Sequence, residues 1–213
     1  MAEKVSKTLA WLVAGLAVMI FPGQALAGTV RLAALGDSLT AGWMLSAQEA
    51  FPAVLERELR AKGYDVSVLN FGVSGDTSAD GLARMDAVIA AKPQGVILEL
   101  GANDGLRGLE PAQVQVNLEA IITGMDKARV PVLLAGMMSL AGMGRAYSEE
   151  FSQVFSGLAK KHHLAFYPFF LEGVAGNPAL TLPDGLHPNA QGVEVMVKGI
   201  LPTVEAFLKS LGR

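Results

Sequence analysis

Asp184 and His187 stand three residues apart in Asp184-Gly185-Leu186-His187-Pro188-Asn189, a segment too rich in glycine and proline for a regular helix. In a tight turn that spacing lets the carboxylate reach Nδ1 of the imidazole and fix the tautomer that leaves Nε2 as a base. Read alone, the same residues also describe a surface turn with an incidental histidine. Ser38, in Gly36-Asp37-Ser38-Leu39-Thr40, follows an apolar run and stands where a hydroxyl can be presented beside a buried strand. An unassisted hydroxyl is a poor nucleophile, so Ser38 needs such a base. Alone, G-D-S is equally a capped turn, and Asp37 reads as a hydrogen-bonder at that turn rather than as a second acid. Two further positions offer donors to a developing negative charge. Gly75, in Gly72-Val73-Ser74-Gly75-Asp76-Thr77, has a backbone N–H that no side chain obstructs. Asn103, in Gly101-Ala102-Asn103-Asp104-Gly105, has an amide that donates without demanding a counter-ion. With the N–H of Ser38 itself, these make three oxyanion donors. Separately, N-D-G is a turn signal and G-D-T a helix entry. His162 and His163 follow Lys160 and Lys161 and read as a solvated basic helix end.

Four separated segments can meet only if the elements between them deliver them to one edge. Short apolar runs predict strands at Val30–Leu35, Val66–Phe71, Val96–Leu100, Val132–Ala135 and Leu164–Tyr167. Between them, 3.6-residue periodicity predicts helices at Phe51–Lys62, with Gly63 as a stop, Ser78–Ala91, Pro111–Ala128 and Ser148–His162. A last helix spans Asn189–Leu211, with a break near Pro202. Strands alternating with amphipathic helices imply parallel strands buried on both faces: a three-layer α/β/α, doubly wound domain. Right-handed crossovers then put every strand-to-helix loop on one edge, and all four segments fall in or beside such loops.

Composition removes several classes of function. The chain has 213 residues, 51% hydrophobic and 17% charged, which excludes an intrinsically disordered chain. A net charge of -3 supplies no basic field for nucleic acid. The absence of cysteine removes disulfides, thiolate metal sites and cysteine nucleophiles. Lys4 and Lys7 precede the uncharged apolar stretch Thr8–Phe21, and Ala25-Leu26-Ala27 follows. Positive start, apolar middle and A-x-A end describe a secretory signal peptide, residues 1–27. As a helix at about 1.5 Å per residue, Thr8–Phe21 falls short of a bilayer core of about 30 Å. Cleavage after Ala27 leaves residues 28–213 as a single domain in the periplasm or beyond, with no stable membrane insertion.

In order and spacing, the segments holding Ser38, Gly75, Asn103 and the Asp184–His187 pair resemble the SGNH (GDSL-type) serine hydrolases. Asn103-Asp104-Gly105-Leu106-Arg107-Gly108 and Pro168-Phe169-Phe170 are similar to the periplasmic arylesterase, acyl-CoA thioesterase I and lysophospholipase L1 group of that family. The resemblance spans nearly all of residues 28–213. It implies a flavodoxin-like, five-stranded parallel sheet and hydrolysis of acyl esters and thioesters through an acyl-enzyme. It also implies Ser38, Asp184 and His187 as a catalytic triad, Ser38, Gly75 and Asn103 as the oxyanion hole, and no metal or cofactor. The chain departs from that group at Ala102, where glycine is common, and over Met137–Gly144. That second stretch, rich in adaptable thioethers, suggests an acyl-chain groove lined by Met137, Leu140 and Met143. Carbohydrate O-deacetylation, known in the same family, is the alternative chemistry. A non-catalytic flavodoxin-like binding module is the alternative class, but neither G-x-G-x-x-G nor G-x-x-x-x-G-K-[ST] follows the first strand. G-x-S-x-G is absent around Ser38, which argues against an α/β-hydrolase nucleophile elbow.

Overall fold

The computed structural model describes residues 28–139 and 142–212. The expected leader, residues 1–27, and the expected groove residue Leu140 lie outside the described residues. Five strands alternate with helices. They are β1 (Val30–Gly36), β2 (Val66–Gly72), β3 (Gly95–Leu98), β4 (Val132–Ala135) and β5 (Ala165–Tyr167). Short α1 (Ser38–Ala41) and then α2 (Phe51–Ala61) join β1 to β2; α3 (Ser78–Ala83) and α4 (Met85–Ala90) join β2 to β3. Then come α5 (Ala102–Leu106), α6 (Pro111–Lys127), α7 (Arg145–Lys161) and α8 (Ala190–Ser210).

The sheet is parallel throughout, in the order β2-β1-β3-β4-β5, the doubly wound arrangement in which the order of strand addition reverses between β1 and β3. β3 and β4 are buried at every position and β1 at every position except Arg31, as strands covered on both faces must be. Helices α2 and α8 pack on each other, while α3, α6 and α7 pack together as a second layer. Phe51 from α2 meets Phe170 edge-on, with ring centroids 4.8 Å apart. Register decides what emerges where: Gly36 pairs with Gly72, and Leu35 pairs with Leu98. The residues after β1, β2 and β3 therefore leave the sheet side by side.

Several expected boundaries shift for physical reasons. The expected helix Ser78–Ala91 is two helices, broken at Arg84 (φ -112°, ψ 8°), whose guanidinium turns inward to the strand ends. The expected break at Pro202 does not occur; α8 is continuous. Pro202 and Lys198 are both exposed, so the carbonyl that loses its intrahelical donor faces water. Helix α7 begins at Arg145, three residues before the expected start. The segments around Ser38 and Asn103, expected as loops, each contain a helix of four or five residues.

Candidate active site

The residues after β1 make the sharpest turn in the site. Asp37 caps α1, its Oδ1 accepting the Leu39 N–H at 2.9 Å. Ser38 is therefore the first residue of a helical turn whose leading amides have no intrahelical partner. Two glycines make room for it. A Cβ on Gly36 would run into the Thr40 hydroxyl, and one on Gly72 into the Ala41 backbone. Arg84 ties the strand ends together: its guanidinium donates to the carbonyls of Gly36 and Phe71, each at 2.7 Å, and to Asp76 at 2.5 Å.

The histidine arrives from the far end of the chain on a closed loop. Leu182 and His187 are joined by a 2.7 Å backbone bond, Thr181 bridges Pro188, and Asn189 caps α8 through Gly192 at 2.9 Å. Inside this loop Asp184 Oδ1 accepts the N–H groups of Leu186 (2.9 Å) and His187 (3.0 Å), an Asx-type turn. Its Oδ2 meets His187 Nδ1 at 2.7 Å, and His187 Nε2 lies 2.9 Å from Ser38 Oγ. The carboxylate partner assigns the ring proton to Nδ1, leaving Nε2 to accept from the serine hydroxyl. Against a desolvation that would raise it, the two backbone N–H bonds and the imidazole hold Asp184 down at about 2. Trp43 tilts over the imidazole at 5.9 Å between centroids.

The two expected oxyanion donors sit on adjoining loops. Asn103 lies in the first turn of α5, and its Nδ2 donates to the Asp76 carbonyl at 2.9 Å and to Asp37 Oδ2 at 3.3 Å. Gly75 adopts φ +90°, a left-handed conformation, and a Cβ there would meet nothing within 4 Å. The positive φ is a backbone reason for glycine here, beside the unobstructed N–H anticipated above. Buried Asp104 staples the two loops together, its carboxylate accepting the Ser78 N–H at 2.8 Å and the Ser78 hydroxyl at 2.6 Å. Asn117 of α6 backs this staple with a 2.9 Å bond to the Ser78 hydroxyl.

Ser38, Asn103 and His187 open onto one cavity of about 100 Å³, walled by Leu39, Ala102, Leu106, Met137, Met138, Leu171 and Leu186. Of the expected groove residues, Met137 lines this cavity although it is nearly buried. Met143 does not line it; its methyl rests against Gly108. Leu106 and Leu186 went unseen in the sequence because each sits alone among glycine and polar neighbours, and Leu171 because it ends the short apolar run Phe169-Phe170-Leu171, which has no periodicity to flag it. Glu99, Arg84 and Asp104 were missed too; an acidic residue inside the apolar run Val96–Leu100 was the available signal. A wider depression of about 570 Å³ lies near the other ends of the strands, lined in part by Arg129, His162, His163 and Ser210, and there the serine hydroxyl donates to the Phe207 carbonyl at 2.6 Å instead of to an imidazole.

Residues 34–195 match the model of the GDSL-like Lipase/Acylhydrolase family. Over 194 residues the chain is 40% identical to the Esterase TesA of Pseudomonas aeruginosa, covering 91% of this chain and 96% of that one. It is 40% identical over 175 residues to the Thioesterase 1/protease 1/lysophospholipase L1 of Escherichia coli K12, covering 80% and 83% of the two chains. The crystal structure of a psychrotrophic esterase EstA from Pseudoalteromonas sp., inhibited by monoethylphosphonate, superposes with a TM-score of 0.80. That match is at 29% identity and covers 84% of this chain and 98% of the esterase. The parallel α/β sheet, the matched span and these relatives agree: the chain belongs to the GDSL-like lipase/acylhydrolase family.

Proposed function

We propose that this chain hydrolyses carboxylic esters and thioesters with Ser38 as nucleophile, His187 as general base and acid, and Asp184 as the carboxylate that orients it. The observation that carries the reading is the continuous hydrogen-bonded run from Asp184 through His187 to Ser38, 2.7 Å and 2.9 Å long in its two steps. Nε2 takes the hydroxyl proton as Oγ attacks the acyl carbonyl, and the resulting imidazolium is stabilised by Asp184. The oxyanion is received by the N–H groups of Ser38 and Gly75 and by Asn103 Nδ2, whose longer bond to Asp37 is the one displaced. His187 returns the proton to the leaving alcohol or thiol, and water repeats the cycle on the acyl-enzyme.

Apolar walls around the serine favour aryl and fatty acyl groups over polar ones. The activities for which the relatives are named, esterase, thioesterase and lysophospholipase, point the same way. Among the described residues no helix is long and apolar enough to cross a membrane. With residues 1–27 read as a cleaved leader, the domain formed by residues 28–213 functions in the periplasm or outside the cell.

Fluorophosphonate labelling followed by peptide mass mapping tests the reading directly. The expected result is a single adduct on the peptide containing Ser38, abolished in Ser38→Ala together with p-nitrophenyl ester hydrolysis. An active, folded sample that carries no label, or hydrolysis that survives Ser38→Ala, overturns it. Turnover of acetylated xylan with none of aryl or fatty acyl esters moves the substrate assignment to the O-deacetylase alternative.

A further inference from the structure

Behind the nucleophile lies a carboxyl that the chemistry above leaves unused. Glu99 follows β3 and is 1% exposed. Its Oε2 accepts the Thr40 hydroxyl at 2.7 Å and, more weakly at 3.4 Å, the Asp37 N–H. Its backbone N–H donates to the Leu35 carbonyl at 2.8 Å, fixing position 99 beside the end of β1. A Cβ on Gly36 would run into Oε2 as well as the Thr40 hydroxyl, so nothing separates this carboxyl from the turn. Its Oε1 is buried without a hydrogen-bond partner. Thr40 and Asp37 flank Ser38 on both sides along the chain, so the two groups that Glu99 holds define the turn presenting the hydroxyl.

We propose that Glu99 is a positioning residue for Ser38: its carboxyl is the seat on which the Asp37–Thr40 turn rests, and it acts through that turn without touching substrate. The proposal rests on the reading of Ser38 as nucleophile. Its physical basis is the form the carboxyl takes. Burial, and next the neighbouring Asp37 carboxyl, push Glu99 well above the usual carboxylate range, while burial pushes Asp37 up to about 7. Among the described residues no salt bridge reaches Glu99. Arg84, the cation nearby, is engaged with Asp76 and two carbonyls, and the His187 ring is paired with Asp184; Asp76 and Asp104 add only further negative charge. A neutral acid suits this setting: Oε2 is then the carbonyl oxygen receiving two donors, and the solitary Oε1 is the hydroxyl, far less costly to bury unpaired than a carboxylate oxygen.

Neutrality and reach together make an unusual prediction about which replacement restores function. Glu99→Gln keeps an acceptor at the same distance with no charge; Glu99→Asp keeps the acid but cannot reach Thr40; Glu99→Leu fills the space with no acceptor. Steady-state kinetics and fluorophosphonate labelling rates are measured on all three and on Thr40→Val, with thermal melts as the check on folding. Glu99→Leu and Glu99→Asp are expected to label Ser38 and turn over substrate about 10²-fold more slowly at unchanged KM, as for a nucleophile displaced by about 1 Å. Glu99→Gln is expected within about threefold of the parent, because the retained contact keeps the nucleophile in place. Thr40→Val, which removes the donor from the other side, should reproduce the slowing even if Glu99→Leu does not fold. Labelling at parental rates in folded Glu99→Leu or in Thr40→Val overturns the proposal, as does Glu99→Gln being as slow as Glu99→Leu. Absence of label on the parent's Ser38 instead removes the nucleophile reading, so the two failures are distinguishable.

Discussion

His187 and His162 lie toward opposite ends of the strands, and each places a ring nitrogen on a carboxylate: Asp184 at 2.7 Å and Glu119 at 3.1 Å. The partners differ in what else they hold. Asp184 is fixed by two backbone N–H groups of its own turn and serves one side chain. Glu119 is shared with Lys161, which approaches to 2.5 Å and does more than His162 to hold that carboxylate below its usual range. The second nitrogen of His187 faces a serine hydroxyl; His162 instead terminates a helix beside lysines, where a cation complements the helix dipole. An imidazole–carboxylate contact is thus an ordinary surface feature. It becomes machinery when the carboxylate is rigid and unshared and the other nitrogen meets a group worth deprotonating.

The difference can be broken at each point of contact. His187→Ala should lose about 10⁶ in kcat, whereas His162→Ala should leave kcat unchanged; steady-state hydrolysis of p-nitrophenyl esters reads both. Asp184→Asn should lose about 10⁴ through the wrong imidazole tautomer, and Glu119→Gln nothing. Asn103→Ala should cost about 10²–10³ in kcat with little change in KM, as one oxyanion donor does. Met138→Ala should shift the preferred acyl length by on the order of tenfold in kcat/KM between neighbouring esters, while Met143→Ala, off the cavity, should not. The smallest effect is on stability against pH. Asp184 falls from the usual 3.8 to about 2 on folding, so its contribution is complete above pH 4 and lost as the pH falls through 2. Urea midpoints of the parent and Asp184→Asn should therefore differ at pH 5 and converge toward pH 2.

What the sequence disclosed and what it concealed divide along the range of the interaction involved. Asp184 and His187 are three residues apart, so their contact is a property of one turn and readable as such. The alternation of apolar runs with 3.6-residue patterns likewise gave all five strands, to within two residues at their ends. Helices α1 and α5 were read as loops because four or five residues leave no period to detect. The break at Arg84 was invisible for a different reason: it is imposed by carbonyls of Gly36 and Phe71, 48 and 13 residues away. Met137, anticipated as groove, is nearly buried at the end of β4, where packing and lining are the same surface. Ser38, Gly75 and Asn103 were legible as chemistry only jointly, since each alone is ordinary turn grammar.

The span between the proposed nucleophile and its proposed base has a consequence for when the enzyme can exist at all. Ser38 and His187 are separated by 149 residues, and the histidine loop is anchored by the cap of α8, which packs back on α2. With that pair as the catalytic groups, a chain emerging from a ribosome carries its serine from the outset but remains latent until nearly all of it is made and the last helix has docked. Long-range closure of this kind is a late event in folding, so hydrolysis itself is a signal that the tertiary structure is complete.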